Sequence, residues 1–193
     1  PYAIWYCNEN KTATADMDMR IYRIASADKI YPAGTPLPED APKALWMQDT
    51  GEMLAHSNLK RYRENTFLSF RSSPFGSGSH TLSDQNSFNL HFRGVPVYRS
   101  TGYYLHFSDP HNLLSYRHTR AHNTILVDGI GQPFTTRAYG KLVRMLSGEN
   151  ISYACGDASN AYCGLTDYPM WQKNFKNAKV EESVANGFGE TPL

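Results

Sequence analysis

The chain has 193 residues, of which 40% are hydrophobic, and its 19 basic and 18 acidic side chains leave a formal net charge of +1. This length can bury one sizeable core, or one core with an appended piece. The balanced charge gives no strong field toward nucleic acid or anionic lipid, and no apolar run approaches the roughly 20 residues of a membrane helix. We therefore expect neither nucleic acid nor a membrane as a partner.

Three cysteines, Cys7, Cys155 and Cys163, are an odd number, which argues against a disulfide framework. We expect three reduced, partly buried thiols. The alternative is a bond between Cys155 and Cys163 in an oxidising compartment. The chain begins PYA, with neither an initiating methionine nor a signal-peptide pattern, and we expect it to be part of a longer protein.

Residues 1–44 differ in composition from the rest of the chain. Residues 17–25 fit the apolar period of a helix and that of a strand equally well. Proline then recurs four times between residues 32 and 42, so this stretch cannot be regular structure for long. The pattern predicts a linker that ends near Ala44.

From residue 45 onward, short strand-like runs alternate with turn signals, a pattern typical of an all-β protein and of an antiparallel β-sandwich. We expect the continuous apolar run 124–127, which Asp128-Gly129 ends, to be a central strand. The sequence stops after a glycine-rich turn, and we expect a further strand beyond it. The predicted strands are residues 45–48, 52–56, 66–71, 87–93, 95–99, 124–127, 141–147, 151–155 and 179–183.

The most informative stretch is SSPFGSGSHTLSDQNSFNLHF, residues 72–92. Small turn-forming residues lead to His80, and Asp84, Gln85 and Asn86 follow within seven residues. Apolar and polar residues then alternate with the period of a half-buried strand. Polar groups anchored to the start of a rigid strand suit an active site. The alternative is a polar loop that caps a sheet edge.

A second polar cluster, YRHTRAHN, occupies residues 116–123 directly before the predicted central strand. Arginine offers a planar fork of donors that matches a carboxylate. We expect Arg117, further from the strand, to be free to meet a carboxylate or sulfate, and Arg120 to fix the network around His122. The alternative is a solvated strand approach with one or two salt bridges.

Together, SSPFGSxxH…DQNSF, GYY and TRAHNTILVDGxGQP resemble the heparinase II/III-like polysaccharide lyases, a group that includes heparin and alginate lyases. The resemblance implies an N-terminal α/α toroid followed by antiparallel β-sheet domains. Residues 1–44 would then be the exit of the toroid with its linker. Residues 45–193 would form a two-layer or supersandwich β-domain, truncated at its C-terminal side.

The resemblance further implies β-elimination at a uronic acid of a glycosaminoglycan or alginate, in a secreted or periplasmic protein. His80 matches the family's catalytic histidine, whereas a tyrosine and an asparagine or histidine would come from the toroid. We include Asn86, Tyr116, Arg117 and Arg120 as candidate substrate-binding residues. We expect the isolated fragment to be inactive. The alternative function is a non-catalytic sandwich that binds acidic glycans or supports a neighbouring domain.

Many members of this family also hold a structural metal, often zinc, at positions that correspond here to Leu82, Ser100 and His122. Leucine has no ligand atom and serine is not a usual zinc ligand, so we expect no cofactor. We predict that His122 is a hydrogen-bonded histidine between sheets. The alternative is a metal that His80 and His122 share with groups not identified in the sequence.

Overall fold

The computed structural model describes residues 41–78, 80–102 and 109–162, and its regular structure is mostly antiparallel β-sheet. Five strands form one sheet in chain order, and two strands form a second sheet. The strands of the first sheet are β1 (Ala44–Met47), β2 (Glu52–His56), β3 (Thr66–Arg71), β4 (Ser87–Phe92) and β5 (Val95–Tyr98). The second sheet pairs β6 (Lys141–Ser147) with β7 (Ser152–Asp157).

Short helical turns lie between some of these strands and after β7. They are Tyr62–Glu64, Asn112–Tyr116, Thr119–Ala121 and Ser159–Tyr162, of which the second is a π-helical turn and the others are 3₁₀ turns. Within the three described ranges, no helix has the length and apolar character needed to cross a membrane.

Strand register determines where the first polar cluster lies. β3 and β4 pair from Thr66 opposite Phe92 to Arg71 opposite Ser87. Residues 72–86 therefore leave and re-enter the sheet at the same end. The neighbouring β1–β2 turn reaches this end too, because the Ser72 amide donates to the Gly51 carbonyl oxygen at 2.8 Å.

The structure confirms the antiparallel strands predicted within residues 44–98 and 141–157, with ends that differ by one or two residues. Asp49, Thr50 and Gly51 form the tight turn between β1 and β2, since Gly51 has a φ of 70° and its amide donates to the Met47 carbonyl oxygen at 2.9 Å. The predicted strand 179–183, the linker before residue 41, Cys7 and Cys163 lie outside the described residues.

The prediction of a central strand at 124–127 is wrong. Ile125 is 65% exposed, and among the described residues Val127 pairs only with Ile130, across a turn in which Asp128 and Gly129 both have positive φ. The run therefore ends in a tight turn of the kind expected from Asp-Gly. An apolar run alone does not distinguish a buried strand from a loop, because the partner strand is not encoded in the run.

Side-chain hydrogen bonds attach this loop to the sheet instead of a strand ladder. The Asn123 amide group donates to the Phe88 carbonyl oxygen at 2.9 Å, and the Thr124 hydroxyl donates to that of Gln85 at 2.7 Å. Further along, the Tyr162 hydroxyl donates to the Ile125 carbonyl oxygen at 2.7 Å.

Among the described residues, buried polar side chains outnumber buried apolar ones. The two sheets meet where β7 ends. The Asn86 side-chain amide donates to the Gly156 carbonyl oxygen at 3.1 Å, and the Ser72 hydroxyl donates to that of Asp157 at 3.4 Å. Gly156 is required there, because a Cβ would lie 2.9 Å from the Phe70 ring. The β3–β4 loop is thus held between the two sheets.

Candidate functional site

His80 lies in an exposed turn of the β3–β4 loop. The amide and the hydroxyl of Thr81 both donate to the Gly78 carbonyl oxygen, at 2.9 and 2.6 Å, and these bonds close the turn. The structure therefore places the predicted catalytic histidine at the surface, where a polymeric ligand can reach it.

The segment that leads to His80 packs against the backbone of residues 133–136. The Ser77 amide donates to the Thr135 carbonyl oxygen at 2.9 Å, and the buried Ser77 hydroxyl donates to that of Pro133 at 3.1 Å. A Cβ on Gly76 would overlap the carbonyl group of Thr135. Only glycine permits this approach, so Gly76 lets the loop pack directly against the backbone of the segment beneath it.

Two buried glutamines hold the other end of the loop. The Gln85 side chain accepts from the Ser73 amide at 2.7 Å and donates to the Phe75 carbonyl oxygen at 3.0 Å. The Gln132 side chain accepts from the Gln85 amide at 2.8 Å and donates to the Gln85 carbonyl oxygen at 2.9 Å. Side chains thus satisfy backbone groups that have no ladder partner.

The second polar cluster lies directly against this loop. The Ser83 amide donates to the Arg117 carbonyl oxygen at 3.0 Å, and the Thr119 hydroxyl donates to the Ser83 carbonyl oxygen at 2.8 Å. The same hydroxyl accepts from the Gln132 amide at 2.8 Å. The two clusters are therefore one hydrogen-bonded unit, and we call residues 72–86, 116–124 and 131–136 the loop assembly.

Arg117 is buried, which contradicts its expected exposure to a substrate carboxylate or sulfate. Only 1% of the residue is accessible, and its guanidinium carbon lies 3.8 Å from the centroid of the equally buried Phe134 ring. Its amide donates to the Asn112 carbonyl oxygen at 3.0 Å, which closes the π-helical turn. Stacking on an aromatic ring replaces water around the charge.

Arg120, by contrast, is exposed. Its amide and its side-chain Nε both donate to Nδ1 of His118, at 3.1 and 3.2 Å. His118 is buried; desolvation, followed by electrostatic interaction with Arg120 and then with His122, lowers the pKa of His118 to about 4. The ring is therefore neutral near pH 7, as an Nδ1 that accepts two hydrogen bonds requires. The predicted role of Arg120 in the network of His122 stays a prediction.

His122 makes hydrogen bonds at both ring nitrogens. Nε2 lies 3.0 Å from the Tyr116 carbonyl oxygen and must donate to it, while Nδ1 lies 2.9 Å from the Ser100 hydroxyl. Burial lowers the pKa of His122, an effect that the Asp84 carboxylate opposes. A neutral ring that accepts from Ser100 satisfies both contacts. The prediction of a hydrogen-bonded His122 is confirmed.

The residues at this place do not fit a zinc site. Both nitrogens of His122 are already bonded to protein, one of them to Ser100, and Leu82 has no ligand atom. Among the residues that the structure describes, no three His, Cys, Asp or Glu side chains are grouped as a metal site requires. We derive no chemistry through a metal.

The other two candidate substrate-binding residues are half-buried. Asn86 has a φ of 56°, which asparagine tolerates, and its amide group is bonded to Gly156 of β7. The Tyr116 and His111 rings contact each other edge-to-face, with their centroids 4.6 Å apart. Contacts of Asn86 and Tyr116 with a substrate stay predictions.

Sequence reasoning did not find the ion pairs of Arg71. Its guanidinium lies 3.0 Å from the Glu52 carboxylate and 3.3 Å from that of Asp84. Burial raises the pKa of Asp84, and the charges of Arg71 and then His122 oppose the rise. Opposite charges at paired strand positions were the available signal, since Glu52 and Arg71 face each other in β2 and β3. The pairs border a pocket of about 140 Å³.

Comparison with known proteins identifies the family. The family model described as "Heparinase II/III-like, C-terminal" matches residues 42–184. The chain belongs to this family. No curated protein matches the sequence.

Solved structures share the fold at low sequence identity. Heparan sulfate lyase HepC from Pedobacter heparinus matches with a TM-score of 0.53 and 18% identity, over 82% of this chain and 23% of that one. A heparinase III gene product matches with a TM-score of 0.52 and 19% identity, over 70% of this chain and 20% of that one. The chain thus spans about a fifth of the length of these two structures.

Proposed function

We propose that this chain is the β-sheet part of a polysaccharide lyase that cleaves a uronic-acid-containing polymer by β-elimination, with His80 in the active site. The observation that carries the proposal is the placement of His80. This histidine matches the family's motif and lies exposed on a loop that buried hydrogen bonds fix in position. A side chain so placed can be held in register with a bound sugar.

The reaction needs only proton transfers and charge stabilisation. A base removes the proton at C5 of the uronate, and that electron pair forms the C4–C5 double bond as the C4–oxygen bond breaks. An acid then protonates the departing oxygen. Histidine changes protonation near neutral pH, so His80 suits either proton transfer or, when charged, neutralisation of the carboxylate.

Arg120 is the residue that we propose to bind the acidic group of the polymer. It is exposed, and a guanidinium binds a carboxylate or sulfate through two parallel hydrogen bonds. The Thr119–Ser83 bond attaches its segment to the loop that carries His80, only three residues from that histidine. Asn86 and Tyr116 are candidates for weaker contacts.

The same proposal includes the rest of the enzyme. An upstream α/α toroid would supply the remaining catalytic groups, with residues 1–44 as its exit and residues 45–193 as a β-sandwich domain. The full-length protein would be periplasmic or secreted. The family membership supports this organisation.

A second candidate function is a non-catalytic domain that binds acidic glycans or supports its neighbour. The replacement of two metal-ligand positions by Leu82 and Ser100 favours it. The loss of a structural metal site is easier to accommodate in a domain that need not hold a catalytic geometry.

One experiment separates the two functions. The full-length protein is incubated with heparan sulfate, chondroitin sulfate, hyaluronan and alginate, and the absorbance of the unsaturated product is followed. We expect one of these polymers to give that product. Binding of a polymer without any unsaturated product would support the non-catalytic domain and contradict the lyase.

A further inference from the structure

We propose that His118 is a positioning residue whose Nδ1 holds the side chain of Arg120 in the orientation that binds an acidic polysaccharide. This inference rests on the proposed function, because it concerns the same site. It assigns a task to a buried histidine that the elimination chemistry does not itself use.

The hydrogen bonds of Nδ1 provide the restraint. The bond from the backbone amide of Arg120 to Nδ1 fixes the position of the Arg120 backbone. The bond from Nε–H to the same Nδ1 fixes the plane of the guanidinium. An arginine side chain otherwise has many rotamers, and ordering it costs free energy when a ligand binds. With Nε already held, the plane of the guanidinium is ordered before an anion binds, which lowers the entropic cost of a bidentate contact.

His118 is itself held rigidly. It is the N-cap of the Thr119–Ala121 turn, and only 8% of the residue is exposed. A Cβ on Gly131 would lie 2.7 Å from the His118 ring, so the ring packs directly against the backbone at this glycine. The next residue, Thr119, is fully buried and is bonded to Ser83. Because the His118 ring is held in this way, its Nδ1 fixes the direction in which Arg120 donates.

The neutrality of the acceptor matters as much as its position. Aspartate would cap the turn at least as well and could also accept from Nε. Its negative charge would, however, neutralise Arg120 and compete with an acidic ligand. A buried neutral imidazole accepts both hydrogen bonds without placing a negative charge beside Arg120.

The test uses full-length protein and steady-state kinetics on whichever polymer of the four the wild type cleaves. His118→Ala removes the acceptor and should raise KM about tenfold with kcat within about twofold, the effect of losing one hydrogen bond to a charged group. His118→Asn places a neutral oxygen where Nδ1 was and should restore most of the affinity. Arg120→Ala should raise KM similarly, and adding His118→Ala to it should change nothing further.

His118→Asp separates positioning from a merely structural role. It keeps a good cap, so thermal stability should stay close to that of wild type, yet KM should rise because the new carboxylate pairs with Arg120. A wild-type KM in His118→Asp would overturn the inference. So would a His118→Ala effect on KM that is as large in the Arg120→Ala background as in the wild type.

A spectroscopic measurement distinguishes failure of this inference from failure of the proposed function. The Arg120 Nε–H resonance should exchange slowly with solvent in wild type and His118→Asn, and rapidly in His118→Ala. Equal exchange in all three would overturn the inference even in an active lyase. If the wild type cleaves none of the polymers, the proposed lyase is wrong. The role toward a substrate then falls with it, while the exchange rates still decide whether His118 orders Arg120.

Discussion

The loop assembly and the five-stranded sheet are held together by different means. In the sheet, neighbouring strands repeat one antiparallel pattern, and the buried side chains that it contributes include Met53 and Ala44. In the loop assembly most of the buried side chains are polar, and Gln85, Gln132 and Thr119 each bond to the backbone of another segment. Irregular backbone satisfies only some of its own groups, so side chains must complete its hydrogen bonds.

This difference indicates which parts of the molecule tolerate substitution. A strand can exchange one apolar residue for another at modest cost, because its ladder involves only backbone. In the loop assembly a single side chain often makes hydrogen bonds to two or three other groups, so its removal leaves buried hydrogen-bonding partners unsatisfied. The exposed residues that we assign to function, His80 and Arg120, both belong to the loop assembly. The hydrogen bonds of the loop assembly therefore hold the residues of the site in position. The following predictions test the contrast between the loop assembly and the five-stranded sheet.

The largest effect should come from His80. In the full-length protein, His80→Ala should reduce elimination on the order of 10²-fold or more, because it removes a group that transfers a proton or neutralises charge. His91→Ala, on β4 and outside the loop assembly, is the matched control and should retain near wild-type turnover. A folded His80→Ala variant with wild-type turnover would contradict the catalytic role.

Gln85→Ala should show how costly one buried side chain of the loop assembly is. It leaves the Ser73 amide and the Phe75 carbonyl oxygen without their partner, and we expect a loss of about 2–4 kcal/mol in the free energy of unfolding. Gln48→Ala, in the exposed β1–β2 turn, should change it by less than about 0.5 kcal/mol. Denaturant unfolding measures both, and similar losses would remove the contrast between the two regions.

Substitution of Arg117 should affect mainly stability, and substitution of Arg120 should affect mainly substrate binding. Arg117→Lys loses the stacking on Phe134 and should lower the free energy of unfolding by about 1–2 kcal/mol, with KM unchanged. Arg120→Ala should raise KM and leave stability within about 0.5 kcal/mol. An Arg117→Lys variant with wild-type stability and a raised KM would show that the buried arginine faces the substrate after all.

Lowering the pH should reduce the free energy of unfolding, because buried His118 must then take up a proton. Unfolded histidine has a pKa near 6.5 and folded His118 has one near 4, so between these values the unfolded state binds more protons. Stability should therefore fall as the pH falls from about 6.5 toward 4, with a slope of up to about 1.4 kcal/mol per pH unit from this one group. Denaturant unfolding at several pH values measures the slope.

His118→Asn is the control for this pH dependence. Burial also lowers the pKa values of His56 and His122, which adds to the slope, and raises that of Asp84, which opposes it. The difference between wild type and His118→Asn isolates His118. An identical slope in the two proteins would show that His118 titrates normally.

The smallest effect should be that of metal removal. Because His122 uses both nitrogens for protein contacts and Leu82 offers none, purified protein should hold well below one equivalent of zinc by elemental analysis. A chelator should leave the melting temperature unchanged. Stoichiometric zinc, with a lower melting temperature after chelation, would show that the ligands lie elsewhere.

The local pattern of the sequence determined the strands and one residue of the candidate site. Alternation of apolar and polar residues is a property of neighbours along the chain, so β4 and its partners could be predicted closely. Turn residues at Asp49-Thr50-Gly51 and Asp128-Gly129 act over a few bonds and were predictable for the same reason. The exposed turn at His80 follows from the small residues before it.

Only the tertiary structure decided which polar residues are buried. Arg117 and Arg120 are three positions apart in one polar cluster, and nothing local marks the first for burial. The Phe134 ring, on which the guanidinium of Arg117 stacks, lies in a separate segment of the chain. The run 124–127 has the composition of a central strand, but no strand pairs with it in the described part of the chain. Burial and strand pairing depend on contacts between distant segments, and local sequence does not encode those contacts.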